Sequence, residues 1–115
     1  MKNNLRNNEI KIIPLGIKAE YVSNIFMQLK GLMFSGKKNL LFDFKKERTA
    51  GIHMLFVFFP LIVVWIDSEN KIKKIRIMKP FASFAKGKAR YILEIPYDAK
   101  IWNKLKRIRK LKFSV

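Results

Sequence analysis

The chain has 115 residues, half of them hydrophobic, with 25 Lys and Arg against 8 Asp and Glu and a formal net charge of +17. Cysteine is absent, which excludes a disulfide framework, a thiolate nucleophile and a cysteine metal site. The length suits one domain with a single core, and a positive excess of this size attracts polyanions in a salt-dependent way.

The first residues, MKNNLRNNEIK, are polar and lack the apolar segment of a secretory signal, so residues 1–8 are expected to be a loose arm on a cytoplasmic protein. Residues 9–14 read as a strand, ended by Pro14 and Gly16. In residues 20–30 the helical spacing of Tyr21, Ile25, Phe26 and Leu29 predicts a short amphipathic helix, stopped by Gly31. Residues 39–44 read as a strand in which Leu40 and Leu41 compete for the core face, and the charged stretch KKERTAG of residues 45–51 reads as a turn.

Residues 51–67, GIHMLFVFFPLIVVWID, form an almost unbroken apolar run. It falls short of the roughly 20 residues that a spanning helix needs. Its β-branched residues (Val57, Ile62, Val63, Val64, Ile66) and aromatics (Phe56, Phe58, Phe59, Trp65) fit a buried pleated surface, although a short apolar run is not assigned by periodicity alone. Pro60 cannot donate to a ladder, so the run divides into strands at 54–58 and 61–67. A polar turn at 68–70 then leads into a half-exposed strand at 71–78, where Ile75 and Ile77 alternate with Lys74 and Arg76.

Residues 81–88 read as a loop and residues 90–95 as a strand, with Tyr91, Leu93 and Ile95 on one face and Arg90, Ile92 and Glu94 on the other. The tail is divided: Ile101, Leu105 and Ile108 suit a helix from Asp98, whereas Leu111, Phe113 and Val115 suit a final strand. These elements predict a mainly β (α+β) fold over residues 9–115, a single compact β-barrel-like or β-roll domain with one or two short helices.

Three blocks taken together, GLMFS at 31–35, HMLFVFFPLIVVWID at 53–67 and ARYILEIP at 89–96, resemble the family known as domain of unknown function 192, in a divergent, archaeal-type form. The resemblance covers roughly residues 19–96 and keeps the order of the family's blocks. It departs where the family carries Trp-Met-Lys-Asn-Thr, replaced by His53, Met54, Leu55, Phe56 and Val57, and where the family's Asp after Pro-Leu is Ile62. The family's Gly-Asp pair is also missing from residues 107–115. The resemblance implies a compact, mostly β domain with one or two short helices and no established activity.

Catalytic chemistry is scarce. A lone His53 cannot complete a typical zinc set, so no metal and no cofactor are expected. His53 is either a base or ligand in a pocket beside Met54 and Trp65, or a strand-end histidine satisfied by hydrogen bonds. Asp67 suits a turn cap bonding its own backbone better than a catalytic acid. Arg90 and Glu94, four apart on a strand, stand roughly 13 Å from each other along it, so each awaits a cross-strand partner or a ligand. Asp43 and Glu47 are also unassigned. No glycine-rich phosphate loop and no nucleophile elbow occurs, which leaves an enzyme unsupported.

Two functions survive. In the first, slightly preferred, a non-enzymatic binding module offers a shallow site near His53, Asp67, Arg90 and Glu94. In the alternative, a basic accessory protein binds RNA or single-stranded DNA. Lys79, Phe81, Phe84, Lys86 and Lys88 mix stacking rings with cations, and Lys104, Arg107, Arg109 and Lys110 add charge from the tail. The bland reading is that both phenylalanines pack the loop onto the sheet and that the charges are a solvated face.

Overall fold

The computed structural model describes residues 9–23, 37–53, 58–81 and 84–115, leaving aside the side chains of residues 52 and 53. The strands are β1 (Glu9–Ile13), β2 (Ile17–Val22), β3 (Leu40–His53), β4 (Leu61–Ile66), β5 (Ile72–Met78), β6 (Phe84–Pro96) and β7 (Lys112–Ser114), with one helix among the described residues, α1 (Ala99–Leu105), before β7. They form one sheet in the order β5-β4-β6-β3-β2-β1-β7. Only β2 and β3 run parallel; the other neighbours are antiparallel. The sheet curls until its edges touch at one place, where Ile72 N donates to Arg109 O at 2.8 Å and Leu111 N donates to Asn70 O at 3.0 Å. The fold is therefore mainly β and barrel-like, as the sequence predicts.

Burial on both faces explains the apolar run. Every residue of β4 is buried; Leu61, Val63 and Trp65 enter one cluster and Ile62, Val64 and Ile66 the other. A strand covered on both sides has no polar face to alternate with. Leu40 and Leu41 divide in the same way, one to each cluster. The inner cluster is closed by α1 through Leu105, and Asp98 caps that helix by accepting from Ile101 N at 3.1 Å. No helix among the described residues is long and apolar enough to cross a membrane, an observation silent about strand-built pores.

Four sequence expectations need correction or fall outside the description. Residues 20–22 belong to β2, not to a helix: Glu20, Tyr21 and Val22 pair in parallel with Leu40, Leu41 and Phe42. Ala19 joins the inner cluster and Val22 the outer one, so the alternation of a strand outweighs the helical spacing. Residues 24–30 of that expected helix lie outside the described residues.

The turn expected at 45–51 is the middle of β3. Between the pairs Asp43↔Tyr91 and Arg48↔Ala89, β3 advances by five residues and β6 by two. A bulge with Lys45 at φ 70° absorbs the difference, and the charges point to water from a strand that bends without reversing.

Residues 84–88, expected in a loop, open β6 and pair with residues 49–53 of β3. Their small side chains allow close packing: Ala85 and Ala89 are buried, and a Cβ on Gly87 would lie 3.1 Å from Trp65 Cδ1. Of the strand expected at 54–58, residues 54–57 lie outside the described residues and Phe58 is outside any strand.

The Gly87 contact yields a prediction. Trp65 is fully buried and donates from Nε1 to Ala50 O at 3.1 Å, so its ring cannot retreat. Gly87→Ala is expected to lower unfolding stability by about 1–3 kcal/mol, measured by urea denaturation; an unchanged midpoint would show that the ring yields.

Candidate functional site

Where β3 bulges, Asp43 becomes the hub of a polar node. Its carboxylate, 3% exposed, accepts from Tyr21 Oη at 2.6 Å, Lys45 N at 2.8 Å, and Arg90 Nε and Nη2 at 3.1 and 3.3 Å. Burial alone would raise its pKa, but the hydrogen bonds from Arg90, Tyr21 and the Lys45 amide, with the Arg90 charge, hold it below the usual carboxylate range. Arg90 also lies over the Tyr91 ring, 4.7 Å from its centroid. Asp43 is a functional-looking residue that sequence reasoning leaves unassigned, and Tyr21 one that it places in a helix; the isolated acid in LLFDF is the available signal.

Asp67 caps the turn between β4 and β5, its Oδ1 accepting from Glu69 N at 2.8 Å and Lys71 N at 2.9 Å. Glu94 stands between Leu40 and Val63 on its neighbouring strands and is 2% exposed. Its Oε2 has no hydrogen-bond partner among the described residues, and burial pushes its pKa up to about 8. His53 pairs through its backbone with Phe84 at the far end of the β3–β6 ladder, roughly 20 Å along the strand from Arg90. Asp67 follows Ile66, which pairs with Tyr91. The register thus brings Asp67 near Arg90 and spreads His53 and Glu94 to either side along β6. Among the described residues no group of three His, Asp or Glu is close enough to hold a metal ion.

Beyond Tyr91, where the pairing of β6 with β4 ends, β3 and β6 continue as a two-stranded arm from Arg48↔Ala89 to His53↔Phe84. One face is packed, with Ala50, Ala85 and Ala89 in the core. The other presents Phe84, Lys86 and Lys88, all exposed, opposite His53, Gly51 and Thr49. Phe84 is 61% exposed, and its ring lies over Gly51: a Cβ there would meet Phe84 Cζ at 3.3 Å. Three residues before Phe84, Phe81 is 53% exposed and meets Phe58, 72% exposed, edge to face at 5.2 Å. Lys79 is exposed as well.

Gly51 is the partner that sequence reasoning missed, since its role depends on cross-strand register. Lys104, Arg107, Arg109 and Lys110 are exposed on the far side of the sequence, Lys104 Nζ reaching Pro14 O at 3.4 Å and Lys110 bridging to Lys71. Lys110 also borders a groove of about 410 Å³ with Ile13, Pro14, Glu69, Asn70, Leu111 and Lys112.

A family model described as Uncharacterized ACR, domain of unknown function 192, matches residues 7–112. A UPF0127 protein of Thermococcus sibiricus is 29% identical over 84 residues, 69% of this chain and 54% of that protein. The chain therefore spans about half the length of this curated relative. Among solved structures, a protein of Sinorhizobium meliloti 1021, described provisionally as a transcription regulator, has a TM-score of 0.70 and 19% identity over 92% of this chain and 91% of its own. A protein of unknown function from Novosphingobium aromaticivorans has a TM-score of 0.68 and 18% identity, covering 93% and 84% of the two chains. Likenesses at such identity speak for the fold alone. The site where the resembled pattern has an acid after Pro-Leu is here Ile62, fully buried in the inner cluster.

Proposed function

The chain belongs to the family of domain of unknown function 192, and from that uncharacterised starting point we propose that it is a non-enzymatic binding module that takes single-stranded nucleic acid, RNA or DNA, on the open face of its arm. The observation that carries this reading is Phe84: a large ring lying over Gly51 with 61% of its surface in water. A packing anchor would be covered. A ring with a backbone floor and an open side is a platform on which any base can stack.

Lys86 and Lys88 flank it on the same face, roughly 7 Å apart, and follow a phosphate backbone. Exposed Phe81 and Phe58 extend the aromatic surface, Lys79 its charge, and Lys104, Arg107, Arg109 and Lys110 add attraction at long range. Exposure thus reverses the order of preference that the sequence suggests. The reading includes a cytoplasmic protein with a single domain in residues 9–115; residues 1–8, expected as an arm, lie outside the described residues. A ligand site drawn from His53, Asp67, Arg90 and Glu94 is the second reading, favoured by Glu94 Oε2, which has no hydrogen-bond partner among the described residues.

Fluorescence anisotropy with a labelled oligonucleotide of mixed sequence tests the first reading. Binding at about 50 mM salt is expected to weaken steeply as salt rises, with a log–log slope near −0.7 for each phosphate neutralised. Phe84→Ala is expected to cost about 1–3 kcal/mol of affinity, and Lys86→Glu with Lys88→Glu should flatten the salt slope. Absent binding at about 50 mM salt, or a Phe84→Ala variant that binds like the parent, removes the proposal.

A further inference from the structure

At β5 the sheet ends. One side of this strand pairs with β4 along its whole length, from Leu61↔Met78 to Ile66↔Ile72. On the other side, backbone bonds hold only its beginning, where Ile72 N donates to Arg109 O and Lys71 bridges to Lys110. Along residues 73–78 no further strand lies beside it among the described residues. Sheet edges of this kind carry a row of backbone donors and acceptors ready for another chain.

The side chains say which chain fits. Ile75 and Ile77 sit opposite Val64 and Ile62, whose side chains fill the inner cluster. Ile62 is fully buried and Ile77 is 39% exposed, so the apolar interior runs out uncovered at this edge. Lys73 and Arg76 are exposed along the same strand. An extended segment alternating apolar and acidic residues would extend the ladder, cover Ile77 and neutralise the cations. A second copy of this chain fits poorly, because edge-to-edge pairing would set Lys73 and Arg76 against like charges between two partners each of net charge +17.

We propose that residues 73–78 of β5 dock an extended acidic segment of a partner protein, which adds to the sheet as an eighth strand. This surface adjoins the arm, where Lys74 Nζ donates to Lys86 O at 2.6 Å, but it uses the backbone edge of β5, whereas the arm's open face carries the side chains of Phe84, Lys86 and Lys88. Exposed cations on an edge also serve to repel unwanted strands; the uncovered Ile77 is what marks this edge for occupation.

The probe is a blocked peptide of about eight residues alternating Glu and Val, long enough for one strand, titrated into the labelled full chain and followed by amide shifts and hydrogen exchange. Shifts and protection are expected at residues 73–78. Lys73→Glu with Arg76→Glu should weaken binding about tenfold, whereas Lys86→Glu with Lys88→Glu should weaken it clearly less. The proposal fails if no shift appears at about 1 mM peptide, if a peptide with proline at its centre binds equally well, or if the arm variant weakens binding as much as the edge variant. It also fails if the edge amides become protected with rising protein concentration alone, which would assign the edge to a second copy, or if an oligonucleotide displaces the peptide from them.

Discussion

Replacing Glu94 with leucine is expected to stabilise the protein, and to do so more as pH rises. In the folded chain this carboxyl lies between Leu40 and Val63, buried, with Oε2 lacking a partner among the described residues. Burial disfavours the charged form, raising the pKa from 4.5 to about 8. The folded state therefore holds its proton more tightly than the unfolded state does. Below about pH 4.5 both states are protonated and the group costs nothing through ionisation; between about 4.5 and 8 the unfolded state alone gains by ionising; above about 8 the penalty reaches its full value, on the order of 5 kcal/mol.

Leucine is of similar bulk and needs neither charge nor partner, so Glu94→Leu removes that slope. Urea unfolding of parent and variant at about pH 5, 7 and 9 measures it, with a gain of several kcal/mol expected at the highest pH and much less at the lowest. Parallel stability profiles, or a variant weaker than the parent at pH 9, would show that the carboxylate is satisfied in the folded chain.

Asp43 behaves in the opposite sense. Three donor groups converge on it, and removing the acceptor leaves the Arg90 guanidinium, 30% exposed, without its ion-pair partner and Tyr21 with a hydroxyl to satisfy. Asp43→Ala is expected to cost about 1–3 kcal/mol at neutral pH, because the cation left behind is partly exposed and can hydrate. Since the folded pKa lies below the unfolded value of 3.8, the stabilisation is complete above about 3.8 and disappears as pH falls through the folded value. Combining Asp43→Ala with Arg90→Met should recover part of the loss, because the orphaned cation is gone. Additive losses in the double variant, or a cost under about 1 kcal/mol for the single one, would place Asp43 outside the energetics of the fold.

Legibility followed the physics of each segment. β4 was readable because burial on both faces demands the unbroken apolar composition of residues 61–66, and the family was readable because three blocks keep their order. Lys45 to Gly51 was misread since charge and a glycine signal turns and bulges alike; only the partner strand reveals which. Ala85 and Gly87 looked like loop residues, whereas their size answers to Trp65, a residue some twenty positions away in sequence. Of the two roles open to Arg90, cross-strand partner or ligand contact, the structure shows the pair with Asp43, and Asp67 caps its own turn as expected. The loss of Glu94 into the apolar interior was invisible, because alternation assigns a face and cannot say that both faces are covered.

The place of β1 has a consequence for biogenesis. It is flanked by β2, its immediate successor, and by β7, with Lys11 opposite Ser114. A ribosome releases β7 only after translating everything between, so a nascent chain must carry β1 half-paired through most of its synthesis, and whatever shields that strand in the meantime governs how much polypeptide reaches the native state.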